Sequence, residues 1–598
     1  MLSYGTIPTG RKIAPYGQTW TDNIGGSGKG LFLARTHETI TLNRRDFLRL
    51  SGAGLAGVAL VGIAGCGGGG TIGGGGSGGG GGSTFVFGRG DDSIGLDPIN
   101  VTDGESLRAT RQIFDSLLRF EPGSFDVAPA LATEIPKPEN GGLSYTIKLR
   151  DGVKFHDGTE FNADAVKFNF DRWRDTKHPY HKGGGSDTSN FAYYAAQFGG
   201  FDDDSVIESV DVVDKYTVRF SLKEPLGPFV KNLTMSPFAI ASPAATKKNV
   251  DDFWQEPVGS GPYKFVEWER NSQIRVEAND EWWGSSLPAS QGYGGPHLKQ
   301  VIIKAIPDNT QRVAALTGNQ LNAADGLVPD DVPSVEDQEG FKVEFRPPNT
   351  IGYLAMNNEK PPFDDPQVRQ AFNYAINIPQ IVESVLRGQG EVASNYMPSL
   401  LKYFNNNIEP YPYDPDKAKQ MLKDAGAANL ETDLWYMPIP RPYMPDAKSM
   451  AQVMQQNLEK VGVSAKLVTY SWETYLTKTS SGEHSTCLLG WTGDNGDPDN
   501  FLNVLLNSAS ATPTEALNVA YYKNPKVDKL MEQGQTTVDD AARQDAYYKA
   551  QEIMHEDAPW VPIAYVTPPL AMQDTVVGLD PNPTSSEPFN TVDIKSGQ

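Results

Sequence analysis

The pattern of apolar and polar positions switches between period two and helical spacing along most of the chain. "TFVFG" from Thr84 reads as a strand, "LSYTIKL" from Leu143 to Leu149 alternates as a half-buried strand, and "TVRFSL" from Thr217 to Leu222 repeats that signature. Helices intervene. Asn162 can cap "ADAVKFNFDRW", and Asp365 can cap a helix begun by Pro366, with Val368, Ala371, Phe372 and Ala375 on one face. Farther on, Met450, Val453, Met454 and Leu458 fall at helical spacing, "VGVSAKLVTY" returns to period two, and the apolar "CLLGW" reads as a strand. That strand runs into "GWTGDNGDPDN", Gly490 to Asn500. The order places a polar loop at the carboxyl end of a strand, the edge where open α/β sheets hold ligands. The chain is therefore an α/β or α+β protein without internal repeats.

Length and charge narrow the classes. At 598 residues the chain exceeds what one core supports, so two or three domains are expected. Hydrophobic residues make up 38% and aromatics 10%, which suits globular domains with aromatic-lined clefts. The formal net charge is −22, and the first 65 residues hold seven Lys/Arg against three Asp/Glu, so the remainder is more acidic still. Such a surface repels phosphate backbones, argues against nucleic acid and suits a monomer.

The N-terminus sets the compartment. "TLNRRDFLRLSGAGLAGVALVGIAGC" has a basic start, a short apolar run and small residues before a cysteine, the pattern of an export signal over 1–65. Arg44 and Arg45, followed by Phe47 and Leu48, resemble a twin-arginine signal, and Ile63-Ala64-Gly65-Cys66 resembles a bacterial lipobox in which Cys66 is acylated. Residues 66–83 then form a tether, with 13 glycines between Gly67 and Gly82. The expected location is the extracytoplasmic face of the cell membrane, held by lipid. Cys487 is left as a lone thiol, expected to lie buried within a strand.

Catalytic and metal signatures fail position by position. "PVGSGPY" has Val258 where a nucleophile elbow needs glycine, and "GRGDDS" places Ser93 at the last glycine of a dinucleotide motif. His178 and His181 flank Pro179 in a probable-turn sequence, and His555-Glu556 lacks the second histidine of a zinc-protease helix. A calcium loop starting at Asp494 would need glycine and glutamate where Asp499 and Leu505 stand. No enzyme, cofactor or metal is expected.

A second stretch, "WYMPIPRPYMPDAK", surrounds Arg441 with prolines at 438, 440, 442 and 445, which fix the backbone that carries it. An arginine in such a run is otherwise a solvated surface group. From about Thr84 onward the chain resembles the family-5 solute-binding proteins of ABC importers, most closely their dipeptide-binding members. The resemblance is carried by "APALATEI", "SYTIKLRDGVKFHDGTEFNADAVKFNFDR", "PVGSGPYKFVEW", "IPDNTQRVAALTGNQ", "IGYLAMNNEKPPFDDPQVRQAFNYAIN" and "YDPDKAKQMLKDAG". More specific are "MPIPRPYMPDAKSMAQVMQQNLEKVGVSAKLVTYSWETYL" and "GEHSTCLLGWTGDNGDPDNF".

The resemblance implies that Arg441 pairs a dipeptide's terminal carboxylate and Asp494 its ammonium. Gly490, Thr492 and Gly493 would border the ligand, the glycines letting backbone approach it. Trp491 offers an apolar wall, and Tyr443 is a second wall or an ordinary core tyrosine. Asp497 and Asp499 are expected to cap and brace a helix beginning near Phe501. Thr102, Asp103 and Gly104 would add backbone contacts from the other side. The implied fold is a two-lobed, class II periplasmic-binding-protein-like α/β architecture closing about a hinge. Lobe I spans 84–345 plus 566–598, with an extra subdomain about 113–255, and lobe II spans 346–565. The partners implied are a dipeptide or similar small ligand and the membrane subunits of an ABC permease. Oligopeptide, glutathione, sugar, haem or nickel-chelate ligands, or a non-transport surface role, are the alternatives.

Overall fold

The computed structural model describes residues 84–182, 191–514 and 516–595, all within one unit of the chain. The export signal, Cys66 and the glycine tether lie outside the described residues. Two large sheets organise the rest. The first has seven strands in the order Phe341–Phe345, Pro569–Gln573, Ala323–Asp325, Thr84–Arg89, Gln300–Ala305, Gln273–Ala278 and Tyr263–Glu269. The second has six, in the order Gly390–Val392, Trp560–Val566, Thr350–Met356, Thr486–Thr492, Glu431–Trp435 and Ser464–Val468. Each sheet anchors one lobe of a two-lobed α/β fold. The chain crosses from the first sheet to the second between Phe345 and Thr350, and returns between Val566 and Pro569.

Strand Thr350–Met356 is buried at all seven positions, as an interior strand covered on both faces must be, which explains its continuous apolar run. Tyr353 on it stacks flat against Trp560, with ring centroids 3.7 Å apart. Among the helices, Asn162 Oδ1 accepts from the Ala165 amide at 3.1 Å and starts Ala163–Arg174. Asp365 likewise caps Pro366–Ala375, whose predicted face of Val368, Ala371, Phe372 and Ala375 is wholly buried. A separate three-stranded sheet of Ser144–Lys148, Thr217–Leu222 and Ile207–Asp214 has its own aromatic core around Phe170, Trp173, Phe198 and Phe220.

Two features go beyond the sequence reading. The connection between strands Ser464–Val468 and Thr486–Thr492 contains a further helix, Trp472–Ser480. The helix after the polar loop starts at Asp499, behind Pro498 and without a side-chain cap. Asp497 Oδ1 accepts from the Asp499 amide at 3.1 Å and Asp499 Oδ1 from Asn503 at 2.7 Å, so both aspartates brace the helix as expected, and Asp497 also accepts two hydrogen bonds from Arg543 at 2.7 and 3.0 Å. The ion pair supplies the counterion that a carboxylate in that interior needs.

Where the chain first leaves the seven-stranded sheet, Arg346 donates to Glu587 at 2.6 and 3.1 Å and to Asp325 at 3.1 and 3.2 Å. Arg108 closes the network by pairing with both carboxylates. Burial works against the charge of Asp325, but Arg108 and Arg346 outweigh it and hold that carboxyl at about 2. Segments distant in sequence are thus pinned together beside the crossing.

Candidate functional site

Strand Thr486–Thr492 lies inside the second sheet, antiparallel to Thr350–Met356 and parallel to Glu431–Trp435. Its carboxyl end delivers Trp491, Thr492, Gly493 and Asp494 to a cavity of about 980 Å³. The same cavity is lined by Arg441, Tyr443 and Gly490 from this lobe and by Thr102, Asp103 and Gly104 from the other. All ten sequence-predicted ligand residues therefore border one space.

Asp494 is held without a counterion among the described residues. Its backbone N–H donates to Asn500 Oδ1 at 2.9 Å, and Asn500 Nδ2 donates back to Asp494 Oδ2 at 3.3 Å. Its other oxygen accepts from the Tyr193 hydroxyl at 3.1 Å, which reaches over from the aromatic subdomain. Burial raises this carboxyl to about 6, and the bonds from Asn500 and Tyr193 offset that only in part. Arg441 is equally without an anionic partner. Its backbone closes a tight turn with Met444, at 3.2 and 2.9 Å, and its guanidinium stacks over the Trp472 ring at 4.6 Å, leaving Nε buried and unbonded. Arg441 and Asp494 form no ion pair with each other.

The glycines have a packing reason. A Cβ on Gly490 would sit 2.3 Å from the Tyr443 ring, and one on Gly352, its cross-strand partner, 2.6 Å from the Tyr443 carbonyl oxygen. The bare strand pair is therefore a seat for the Arg441 loop. A Cβ on Gly493 would lie 2.5 Å from Asn349 Oδ1 and 2.6 Å from the Phe501 ring. Gly490 and Gly493 both border the cavity, and the protein's own residues already require close approach there. Trp491 donates to Asn500 Oδ1 at 3.3 Å, joining the Asp494 cradle. On the far lobe, Asp103 caps helix Gly104–Ile113 by accepting from the Ser106 amide at 2.8 Å, and burial pushes its carboxyl upward.

Sequence reading missed Tyr193, Asn500 and Trp472. Trp472 stands within a quoted motif, but nothing in the pattern marks it as the platform for Arg441. Cys487 is buried in its strand, and burial raises its thiol far above the ordinary range. Among the described residues no group of three or more His, Cys, Asp or Glu could hold a metal, and no helix is long and apolar enough to cross a membrane.

Comparison with known proteins completes the picture. Residues 126–513 match the sequence profile of the bacterial extracellular solute-binding proteins, family 5. The chain is 35% identical to the dipeptide-binding protein of Escherichia coli K12, over 84% of this chain and 92% of that one. It is 34% identical to heme-binding protein A of Haemophilus influenzae, over 86% and 92%. Its structure resembles that of a dipeptide-binding protein from Pseudoalteromonas sp. SM9913 in complex with Met-Leu, with a TM-score of 0.73 and 29% identity over 86% of this chain and 100% of that one. With so much of the chain matched in sequence and in fold, the protein belongs to the bacterial extracellular solute-binding proteins of family 5.

Proposed function

We propose that the protein captures dipeptides outside the cytoplasm and presents them to an ABC permease, Arg441 taking the terminal carboxylate and Asp494 the ammonium. One observation carries the reading: two oppositely charged groups border a single cavity, and neither has an ionic partner among the described residues. A dipeptide is a zwitterion whose termini are the features every sequence shares. One fixed cation and one fixed anion therefore select chain length while leaving side chains free. The guanidinium suits a carboxylate through its bidentate fork, and burying any of the four charges unpaired costs several kcal/mol, on the order of what separates binders from non-binders. Waters can fill the remaining space at modest cost. Acylation at Cys66 after twin-arginine export would tether the protein to the membrane through its glycine-rich segment, as a monomer without cofactor.

Isothermal titration with free, N-acetylated and C-amidated Ala-Ala tests the reading. The free peptide is expected to bind and each blocked form to lose about 2 kcal/mol or more, at least roughly 30-fold. Equal affinity for all three would overturn the two-terminus clamp. Haem binding in place of peptide binding would favour the function named for the Haemophilus relative.

A further inference from the structure

Five arginines border the cavity: Arg108, Arg111, Arg312, Arg346 and Arg441. Three are bonded within the protein itself. Arg108 and Arg346 share Asp325 and Glu587. Arg312 donates to the carbonyl oxygens of Ile306, Asp325 and Gly326 at 2.6, 2.7 and 2.6 Å. A fourth, Arg441, is assigned above to the peptide's terminal carboxylate. Arg111 remains.

Arg111 stands in the last turn of helix Gly104–Ile113 and is partly buried, yet its guanidinium makes no hydrogen bond or ion pair with any described residue. Its surroundings do not neutralise it. Burial first, and the charge of Arg119 second, pull it down to about 10, while Glu587 and Asp115 act the other way without contact. Neither carboxylate bonds to Arg111. Glu587 serves Arg108 and Arg346, and Asp115 accepts from Ser260 at 3.0 Å and Trp283 at 2.8 Å. Arg119 is itself stacked over Tyr293 at 3.7 Å, with Nε and Nη2 buried and unbonded.

The charge balance of the site follows. Arg441 and Arg111 are the two cavity arginines whose guanidiniums bond to no described residue, Asp494 is an anion with only neutral partners, and Asp103 caps its helix through Oδ1 while its Oδ2 is buried without a hydrogen-bond partner. A zwitterionic peptide neutralises Arg441 and Asp494 and leaves Arg111 exposed to a drier interior, which raises the cost of its charge. A peptide with one further carboxylate neutralises all three. The overall charge of −22 disfavours acidic ligands at long range, so any preference for them must come from a local cation.

We infer that Arg111 forms a side-chain subsite for a carboxylate, so that the cavity favours dipeptides containing glutamate or aspartate. The inference rests on the two-terminus reading and adds a third charge to it. Because Glu and Gln share a shape, titration of the purified full chain with Glu-Ala against Gln-Ala, and Ala-Glu against Ala-Gln, isolates the charge. In at least one pair the Glu peptide is expected to bind about tenfold tighter. In Arg111→Gln that ratio collapses to about one while the Gln peptide keeps its affinity. Arg111→Met, which retains the apolar stem, gives the same readout if the Gln variant does not fold. Equal affinities within both pairs for the natural chain, or an undiminished ratio in a folded variant, would overturn the subsite. Ala-Ala distinguishes the two failures. If it binds and the Glu peptides gain nothing, only the subsite is lost; if no dipeptide binds, the clamp fails and the subsite with it.

Discussion

Arg346 and Arg441 both border the cavity, yet they live in opposite circumstances. Arg346 is fully buried and bonded to two carboxylates and the Pro569 carbonyl, and Arg108 doubles the lock. Arg441 has an indole face and a tight turn to hold it, but no anion. The same contrast separates Asp325, held at about 2 by two guanidiniums, from Asp494, raised to about 6 beside a phenol and an amide. The charges that join distant segments are satisfied within the chain, whereas Arg441 and Asp494 border the cavity with only neutral neighbours, as the proposed reading requires. Positioning without neutralisation, at the wall of a cavity, is what makes the pair a candidate recognition site.

Four changes test the contrast, from the largest effect to the smallest. Arg346→Met leaves Asp325 and Glu587 short of a counterion, and denaturant melts should show a loss of about 3 to 5 kcal/mol of stability. Asp494→Asn should behave in the reverse manner. Calorimetry should record at least a roughly 30-fold weaker grip on Ala-Ala, about 2 kcal/mol or more, with no loss of stability in the melt. Gly490→Ala drives a methyl into the Tyr443 ring beneath the Arg441 loop and should cost about 1 to 3 kcal/mol in the same melt. Gly104→Ala, whose added methyl would meet nothing, is its control.

Acidity gives the mildest perturbation. Because burial raises Asp494 to about 6, its contribution to the empty protein's stability is complete below the ordinary carboxyl range and is lost as pH rises through about 6. The groups that bond to it, Asn500 and Tyr193, are neutral at these pH values. A peptide ammonium requires the ionised form, so affinity should be flat above about pH 7 and weaken as pH falls through 6, by about tenfold per unit at most. Titrations in two buffers of different ionisation enthalpy should detect the proton released on binding at pH 5.5. A flat affinity from pH 5 to 8 would remove Asp494 from the ammonium site.

The elements were legible where the period was clean. "TVRFSL" is a strand over the residues read from the pattern, and Asn162 and Asp365 cap their helices because short polar side chains ahead of apolar spacing have little else to do. Asp497 shows the limit. An aspartate beside Pro498 looks like a cap, and only Arg543, 46 positions later, reveals an ion pair. The site divides similarly. Arg441 and Asp494 were singled out by resemblance to a family rather than by periodicity, which carries no record of which charges lack partners. Tyr193 was illegible because its hydroxyl meets Asp494 across 301 positions of chain, and no local pattern encodes such a contact.

That phenol and that carboxylate come from opposite sides of the opening. One of the bonds between these regions therefore ends on the very group proposed to read the cargo. A movement that parted the two would take a neighbour from Asp494 in the same step.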